Sequence, residues 1–177
     1  MLEMELKFKV EDFSDIEKRL DELSIPIGDP VEEKNLILDL MGGPLREKDV
    51  LLRLRNTEKG ALLTVKKPLP ATALKVRLEK EAILDCSVED ALELLSLLGY
   101  GVVYRYDKIR RECRLGEAQI CLDELWFGRF VEVEAQSEDG VMNAVEKLGL
   151  IPSEGIRFSY AALEKDAEQQ RDSESKS

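Results

Sequence analysis

The sequence predicts an α+β fold in which seven or eight antiparallel strands close into a β-barrel flanked by short helices. In most segments apolar and polar residues alternate with a period of two, while shorter intervening segments have a helical period. Turn residues separate successive strands at short intervals, which favours hairpins. An open sheet of this size would leave unpaired edges, so closure into a barrel is favoured.

The N-terminal half supplies five of the predicted strands. In residues 2–10, every second residue is apolar, and Glu3, Glu5 and Lys7 share the opposite face. Helical spacing over 12–23 predicts a helix with Asp12 or Ser14 as N-cap. Further strands are predicted at 31–40, at 50–55 and 61–67 (a hairpin around 58–60), and at 73–84.

The C-terminal half alternates helices with three more strands. A helix is predicted at 87–98 between Ser87 as N-cap and Gly99 as C-cap. Strands follow at 102–114, 118–122 and 130–135, and helices at 139–148 and from 159 to about 169. No internal boundary or repeat is evident. We therefore expect one domain over 1–169 and a disordered polar tail at 170–177.

The charge and composition of the chain exclude several classes of function. The net charge of -11 argues against binding nucleic acid or an anionic membrane, because both require a basic surface. Histidine is absent, which excludes histidine bases and ligands. Any metal site must therefore use oxygen ligands, which suit magnesium, manganese or calcium.

The thiols and the apolar segments indicate where the protein acts. Three cysteines without a C-x-x-C pair predict reduced thiols in a cytoplasmic protein. No apolar run approaches the roughly 20 residues of a membrane span, and the first residues lack the pattern of a signal peptide.

Charged residues recur two apart on several of the predicted strands. These groups are Glu3, Glu5 and Lys7; Arg53 and Arg55; Arg77, Glu79 and Glu81; Lys108 and Arg110; and Glu132 and Glu134. Residues two apart share one face of a strand. One interpretation is a solvated outer wall. The other turns these faces inward, where basic pairs would neutralise a polyphosphate and acidic pairs would hold divalent metal ions.

Several segments, in chain order, resemble the motifs of the CYTH superfamily, the triphosphate tunnel metalloenzymes. They are ExExK at 3–7, Asn35 with Asp39, LRxR at 52–55, LTxKxP at 63–68, RxExE at 77–81, KxR at 108–110, the aspartate strand at 120–123 and GxFxExE at 128–134. Leu40 follows Asp39 where many members have threonine. The resemblance covers residues 3–134 and rests on the order of the motifs, since ExExK alone is common in charged proteins.

The resemblance implies a single CYTH-like domain built on a closed eight-stranded antiparallel barrel that binds a small-molecule triphosphate. It implies that the substrate is bound by Lys7, Arg53, Arg55, Lys66, Arg77, Lys108 and Arg110. It further implies magnesium or manganese held by Glu5, Glu132 and Glu134, with Glu3, Glu79, Glu81 and Asp123 as further candidate ligands. Among these residues, Glu5, Lys7, Glu132 and Glu134 are the candidate catalytic residues. A homodimer is left open.

Other interpretations remain for individual residues. Asp123 could cap a turn, and Glu79 and Glu81 could pair with Arg77 and Lys75 to brace the wall. Trp126, Phe127 and Phe130 are expected in the core or at the rim. Tyr104, Tyr106 and Tyr160 could line either the cavity or the core.

Three functions are consistent with these residues. The expected one is a metal-dependent hydrolase that cleaves a phosphoanhydride bond of tripolyphosphate, thiamine triphosphate or a nucleoside triphosphate. This choice rests on the segment from Asn35 to Asp39 and the Gly-rich loop after it, which resemble the hydrolase branch. The first alternative is a class IV adenylyl cyclase, which forms cyclic AMP and pyrophosphate from ATP. The second alternative is a non-catalytic module that binds polyphosphate or a nucleotide.

Overall fold

A computed structural model of the chain describes residues 1–70 and 74–174. The eight strands are β1 (Leu2–Val10), β2 (Val31–Leu40), β3 (Leu51–Thr57), β4 (Gly60–Pro68), β5 (Lys75–Leu84), β6 (Tyr100–Leu115), β7 (Ala118–Leu125) and β8 (Gly128–Ala135). The helices are α1 (Ser14–Glu22), α2 (Pro44–Glu47), α3 (Val88–Leu97), α4 (Glu138–Lys147) and α5 (Tyr160–Glu174), with a 3₁₀ turn at Pro152–Glu154.

The strands form a closed barrel in the order β1-β5-β4-β3-β2-β6-β7-β8. Every neighbouring pair is antiparallel, including the β1–β8 pair that closes the barrel. The predicted closed eight-stranded barrel with flanking short helices is thus confirmed. Among the described residues, no helix has the length and apolar character that crossing a membrane requires.

The apolar core lies outside the barrel wall, between the sheet and the helices. One cluster joins α1 and α4 to the outer faces of β1, β7 and β8, with Leu6, Leu20, Ile120, Val133 and Val145 almost fully buried. A second cluster lies beneath α3 around Leu38 and Leu54. Because apolar residues occupy the outer face of each strand, the alternating charged residues necessarily face the lumen.

The structure differs from the sequence prediction at several element ends. The short helix α2 was not predicted, and α1 has Phe13 at its N-cap without a side-chain hydrogen bond. Asp12 instead accepts a hydrogen bond from the backbone of Ser14 in the turn before α1. The final helix continues to Glu174, beyond its predicted end near 169, so the predicted tail begins as helix. Residues 175–177 of that tail, and the predicted strand start at Ala73, lie outside the described residues.

Asp39 connects β2 to α2. Its carboxylate, 3% exposed, accepts hydrogen bonds from the backbone N–H groups of Leu40, Leu45 and Arg46 at 2.8 to 3.0 Å. Burial would raise the pKa of Asp39, but these hydrogen bonds outweigh it and hold the pKa below its usual value. The motif residue Asp39 therefore fixes the loop after β2.

We expect Asp39→Ala to lower the free energy of unfolding at pH 7 by about 1–3 kcal/mol, because three part-buried backbone donors lose their acceptor. A carboxyl group with a lowered folded pKa stabilises the fold above its unfolded pKa, and this stabilisation is lost as the pH falls through the folded pKa. Urea unfolding at pH 7 and at pH 3 should therefore show a smaller penalty in acid. Asp85→Ala, at an exposed aspartate, is the control. An equal penalty at both pH values would contradict this role of the ionised carboxylate.

Candidate functional site

The predicted charged faces converge on the barrel lumen, which contains a cavity of about 300 Å³. All seven predicted substrate-binding residues line it: Lys7, Arg53, Arg55, Lys66, Arg77, Lys108 and Arg110. Among the described residues, eight that line the cavity are basic and six are acidic. Basic side chains are therefore concentrated around this cavity, inside a chain whose net charge is -11.

Strand register brings the motifs together. Across the closing β1–β8 pair, Glu5 lies opposite Glu134 and Lys7 lies opposite Glu132. Elsewhere in the wall the directly opposed pairs are Glu3 with Arg77, Lys66 with Glu79, Thr64 with Glu81, Glu33 with Lys108, and Arg110 with Asp123. Directly opposed side chains on one face lie within contact distance, so the register places acids beside bases at most of these positions and places Glu5 beside Glu134.

Three of the predicted metal ligands form a carboxylate cluster. Glu3, Glu5 and Glu134 each offer an oxygen, and these oxygens all lie within 4.8 Å of one another. Glu3 and Glu5 are buried, and the Oε2 atom of Glu3 has no hydrogen-bond partner among the described residues. A cluster of carboxylate oxygens with an unpartnered buried acceptor fits a hard divalent cation such as magnesium or manganese.

Glu132 and Asp123, also predicted as metal ligands, are instead surrounded by cations. Glu132 accepts hydrogen bonds from Lys7 and Arg110. Asp123, fully buried, accepts from Lys108 at 2.9 Å, from Arg110 at 2.6 and 2.5 Å, and from the Tyr160 hydroxyl at 2.6 Å. These two carboxylates therefore hold the cations of the lumen in place, and Asp123 does not cap a turn.

The neighbouring acids Glu132 and Glu134 differ in their electrostatics. Burial, together with the negative charge of Glu132, raises the pKa of Glu134 to about 7. Burial would also raise the pKa of Glu132, but the charges of Lys7, Arg110 and Lys108 outweigh it and hold the pKa well below its usual value. Arg110 and Lys66 also act on Glu134, but they do not outweigh its burial, so Glu134 has less compensating positive charge than Glu132.

The remaining cations of the lumen have acidic partners. Lys66 lies between Glu3 and Glu79, at 3.3 Å from Glu79, and Arg77 donates to Asp49 at 2.8 Å. Arg53 and Arg55 pair with Glu81 and Glu33, respectively. The Nε atoms of Arg53, Arg55 and Arg77 are buried and have no partner among the described residues. Guanidinium groups with unused donors are suited to phosphate oxygens.

Glu79 and Glu81, predicted as metal ligands or wall braces, contact different partners from those expected. Glu79 approaches Lys66, and Glu81 accepts from the Thr64 hydroxyl at 2.7 Å. Arg77 and Lys75, the partners expected for them, pair instead with Asp49 and Glu5. The carboxylates of Glu79 and Glu81 lie outside the three-carboxylate cluster.

Several site residues were not among the sequence candidates, and four of them are Glu33, Lys75, Glu112 and Gln119. Glu33 contacts both Arg55 and Lys108, and Lys75 donates to Glu5. Both lie two residues from a motif residue on the same strand face, Asn35 and Arg77, and this spacing could have identified them. Glu112 and Gln119 also line the cavity, and Gln119 donates to Glu112.

Tyr160, at the start of α5, is nearly buried and lies over the lumen. The Nζ atom of Lys7 is 4.1 Å from the centre of its ring, a cation–π distance. Phe127 and Phe130 pack against Tyr160, and Trp126 contacts Phe127, so these aromatic residues form one packed cluster that is buried at Phe130 and exposed at Trp126. Helix α5 therefore packs on the wall near the cavity, and Tyr160 joins it to Asp123.

A second cavity of about 500 Å³ adjoins the lumen, and we call it the mouth pocket. It shares Leu51, Arg77, Tyr106, Ser159 and Tyr160 with the lumen. The rings of Tyr104 and Tyr106 stack in its wall, with centroids 5.5 Å apart and planes at 23°. The structure thus joins a charged cavity to a larger one with aromatic walls.

The fold and the site define a class of closed eight-stranded barrels with paired basic and acidic side chains and a carboxylate cluster in the lumen. The chain belongs to the CYTH family, because the model of the CYTH domain matches residues 1–160. This result confirms the family resemblance of the motifs.

Similar proteins come from archaea and plants. A Methanocaldococcus jannaschii protein named as a candidate adenylate cyclase is 24% identical over 173 residues, covering 92% of this chain and 98% of its own length. The structure of the PH1819 protein from Pyrococcus horikoshii superimposes with a TM-score of 0.74 at 28% identity, covering 93% and 98% of the two chains. A Hippeastrum protein, described as a candidate adenylyl cyclase with a dominant triphosphatase activity, gives a TM-score of 0.60 at 20% identity, covering 84% and 88%.

Proposed function

We propose that this protein is a divalent-metal-dependent triphosphatase that cleaves a phosphoanhydride bond of a triphosphate within the barrel. The observation that carries the proposal is the juxtaposition of a three-carboxylate cluster with a wall of preformed cations in one lumen. Phosphoryl transfer depends mainly on positioning and charge stabilisation. The absence of histidine is therefore compatible with this chemistry.

The cations would bind the phosphate oxygens. Lys7, Lys108 and Arg110 are held from one side by Glu132, Asp123 and Glu33, so little reorganisation is needed when an anion enters. Arg53, Arg55, Lys66 and Arg77 would neutralise the rest of the triphosphate. Their acidic partners hold these side chains in place within the lumen.

Glu3, Glu5 and Glu134 would hold the metal ion. When bound, a divalent cation in this position supplies charge neutralisation at the phosphates and lowers the pKa of a coordinated water. The protein contributes a buried carboxylate set beside the cations. Tyr160 orients Asp123, which in turn fixes Lys108 and Arg110 against the substrate.

A class IV adenylyl cyclase is the second candidate, because the mouth pocket leaves space for a nucleoside beside the lumen. In this reaction the ribose hydroxyl attacks the α-phosphorus and pyrophosphate leaves. In the hydrolase reaction, water attacks a phosphorus atom and orthophosphate or pyrophosphate is released. A binding module without catalysis, the third function, would have little use for three carboxylates beside a bound polyanion.

A product assay distinguishes these functions. The full chain is incubated with magnesium or manganese and with tripolyphosphate, thiamine triphosphate or ATP in turn. We expect metal-dependent orthophosphate release from at least one of them. Cyclic AMP with an equal amount of pyrophosphate from ATP would favour the cyclase, and tight binding without turnover would favour the binding module.

The mouth pocket suggests where the organic group of a substrate would bind. We expect the organic group of a nucleoside or thiamine triphosphate to lie against Tyr104, with its phosphates in the lumen. Stacking on an aromatic side chain contributes about 1–3 kcal/mol. Tyr104→Ala should therefore lower kcat/KM for the organic triphosphate about 5- to 100-fold and leave tripolyphosphate hydrolysis unchanged.

The control is Tyr104→Phe, which keeps the ring but removes the hydroxyl that donates to Glu164. It should retain the organic substrate preference. An equal loss for tripolyphosphate and for the organic triphosphate in Tyr104→Ala would show that Tyr104 acts on the lumen as a whole and would contradict this assignment.

A further inference from the structure

Helix α3 has apolar side chains on two faces. The inner face packs on the barrel through Val88, Ala91, Leu92 and Leu95. On the outer face, Leu94, Leu97 and Leu98 are 61%, 80% and 71% exposed. A helix that is apolar all round is typical of a buried element, whereas a surface helix carries polar residues on its outer side.

A groove beside the end of α3 is lined by two more exposed apolar residues. Met41, 99% exposed, and Val103, 57% exposed, line one groove with Ser96 and Gly99 at the end of α3. Ser96 and Gly99 directly flank Leu97 and Leu98 in the chain. We call the surface formed by Met41, Leu94, Leu97, Leu98 and Val103 the α3 patch.

The α3 patch is large enough to form the centre of a protein interface. At roughly 100 Å² for each apolar side chain, its five residues expose on the order of 500 Å². A stable interface uses about 800 Å² from each partner, with an apolar centre and a polar rim. The α3 patch would therefore supply most of that area, and charged neighbours would supply the rim.

We propose that the α3 patch is a two-fold interface between two copies of this chain. The charges around the α3 patch are arranged so that two antiparallel copies would bring opposite charges together. Glu89 and Asp90 lie in the first turn of α3 and Glu93 lies near its middle, whereas Arg46 lines the groove at its end. A two-fold axis that pairs α3 with its antiparallel copy places the acidic start of each helix beside the basic end of the other.

A second copy suits this surface better than a lipid membrane. An interfacial membrane helix carries lysine and arginine around its apolar face. Helix α3 contains no basic residue, and its first turn is acidic. Its charges would be repelled by anionic lipids, whereas the partner's Arg46 would attract them.

The test measures the oligomeric state of the full chain by light scattering coupled to size exclusion. We expect wild-type protein at micromolar concentration to have twice the 20.1 kDa chain mass. Leu97→Lys should weaken the dimer at least about 30-fold, as expected for a residue at the centre of an interface. Ile151→Lys makes the same change at a residue that is 53% exposed outside the α3 patch, and it should remain dimeric.

Three results would overturn the proposal. They are a monomeric wild-type protein at high micromolar concentration, a dimer unaffected by Leu97→Lys, and equal dissociation by Ile151→Lys. Sedimentation with phosphatidylcholine or phosphatidylserine vesicles is the second measurement. A monomer in solution that binds vesicles through Leu97 would assign the α3 patch to a membrane instead. Thermal unfolding of each variant verifies that the substituted chains are folded.

Discussion

Glu134→Gln is expected to lower metal-dependent turnover by about two orders of magnitude or more while the protein remains folded. Glu134 belongs to the carboxylate cluster with Glu3 and Glu5, and an amide is a poor ligand for magnesium or manganese. The measurement is kcat/KM for the best triphosphate, at several metal concentrations. Saturating metal should not restore the wild-type rate.

The control is Glu124→Gln, the same change at a half-exposed glutamate on the outer side of β7, where it pairs with Arg129. It should leave turnover within about twofold of wild type, as a surface ion pair contributes little. If Glu134→Gln and Glu124→Gln have equal activity, Glu134 is not a metal ligand.

The environment of Glu134 also predicts how Glu134→Gln changes the free energy of unfolding in the absence of metal. The folded pKa of Glu134, about 7, is raised above that of an unfolded glutamate, so the folded state binds more protons between these values. The free energy of unfolding of the wild type should therefore fall as the pH rises through this window. Relative to Glu134→Gln, we expect this fall to be about 2 kcal/mol. Urea unfolding in chelator at pH 5 and pH 8 measures the difference. If Glu134→Gln is less stable than the wild type at pH 8, the ionised carboxylate of Glu134 does not destabilise the metal-free fold, which contradicts this prediction.

Glu132→Gln is expected to produce the opposite result, a loss of about 3 kcal/mol in the free energy of unfolding at pH 7. Glu132 accepts a hydrogen bond from Lys7, which is 2% exposed, and another from Arg110. Removing one partner leaves buried positive charge without compensation, which costs more than the pair contributes. The measurement is urea unfolding of the metal-free protein.

A second substitution tests the cause of that loss. Lys7→Met in the Glu132→Gln background removes the unpaired charge and should recover at least half of the stability. Activity should not recover, since Lys7 lines the lumen. No recovery of stability would mean that the loss arises from packing and not from the unpaired cation.

The sequence treats Glu132 and Glu134 alike, because both belong to the GxFxExE strand and both predict metal ligands. In the structure both side chains line the lumen, but their charged neighbours differ. Glu132 lies opposite Lys7 across the strand pair, whereas Glu134 lies opposite Glu5. The register of β1 against β8 makes this distinction, and strand register between distant segments is not specified by local alternation.

The strands were predictable because their period of two is nearly unbroken, and the inward direction of the charges follows once helices α1, α3 and α4 cover the outer wall. The contact of Asp123 with Tyr160 was not predictable in this way. Tyr160 lies 37 residues away, on a helix whose position is set by tertiary packing. Helix α2 was missed because four residues are too few to show a helical period.

The most direct test of the central claim is anomalous diffraction from crystals soaked with manganese and a non-hydrolysable triphosphate. We predict a manganese peak bounded by the carboxylates of Glu3, Glu5 and Glu134, with the phosphates extending toward Lys7, Lys108 and Arg110. A manganese ion coordinated only by Glu132 or Asp123, or bound on the outer wall while the lumen holds no triphosphate, would contradict the account.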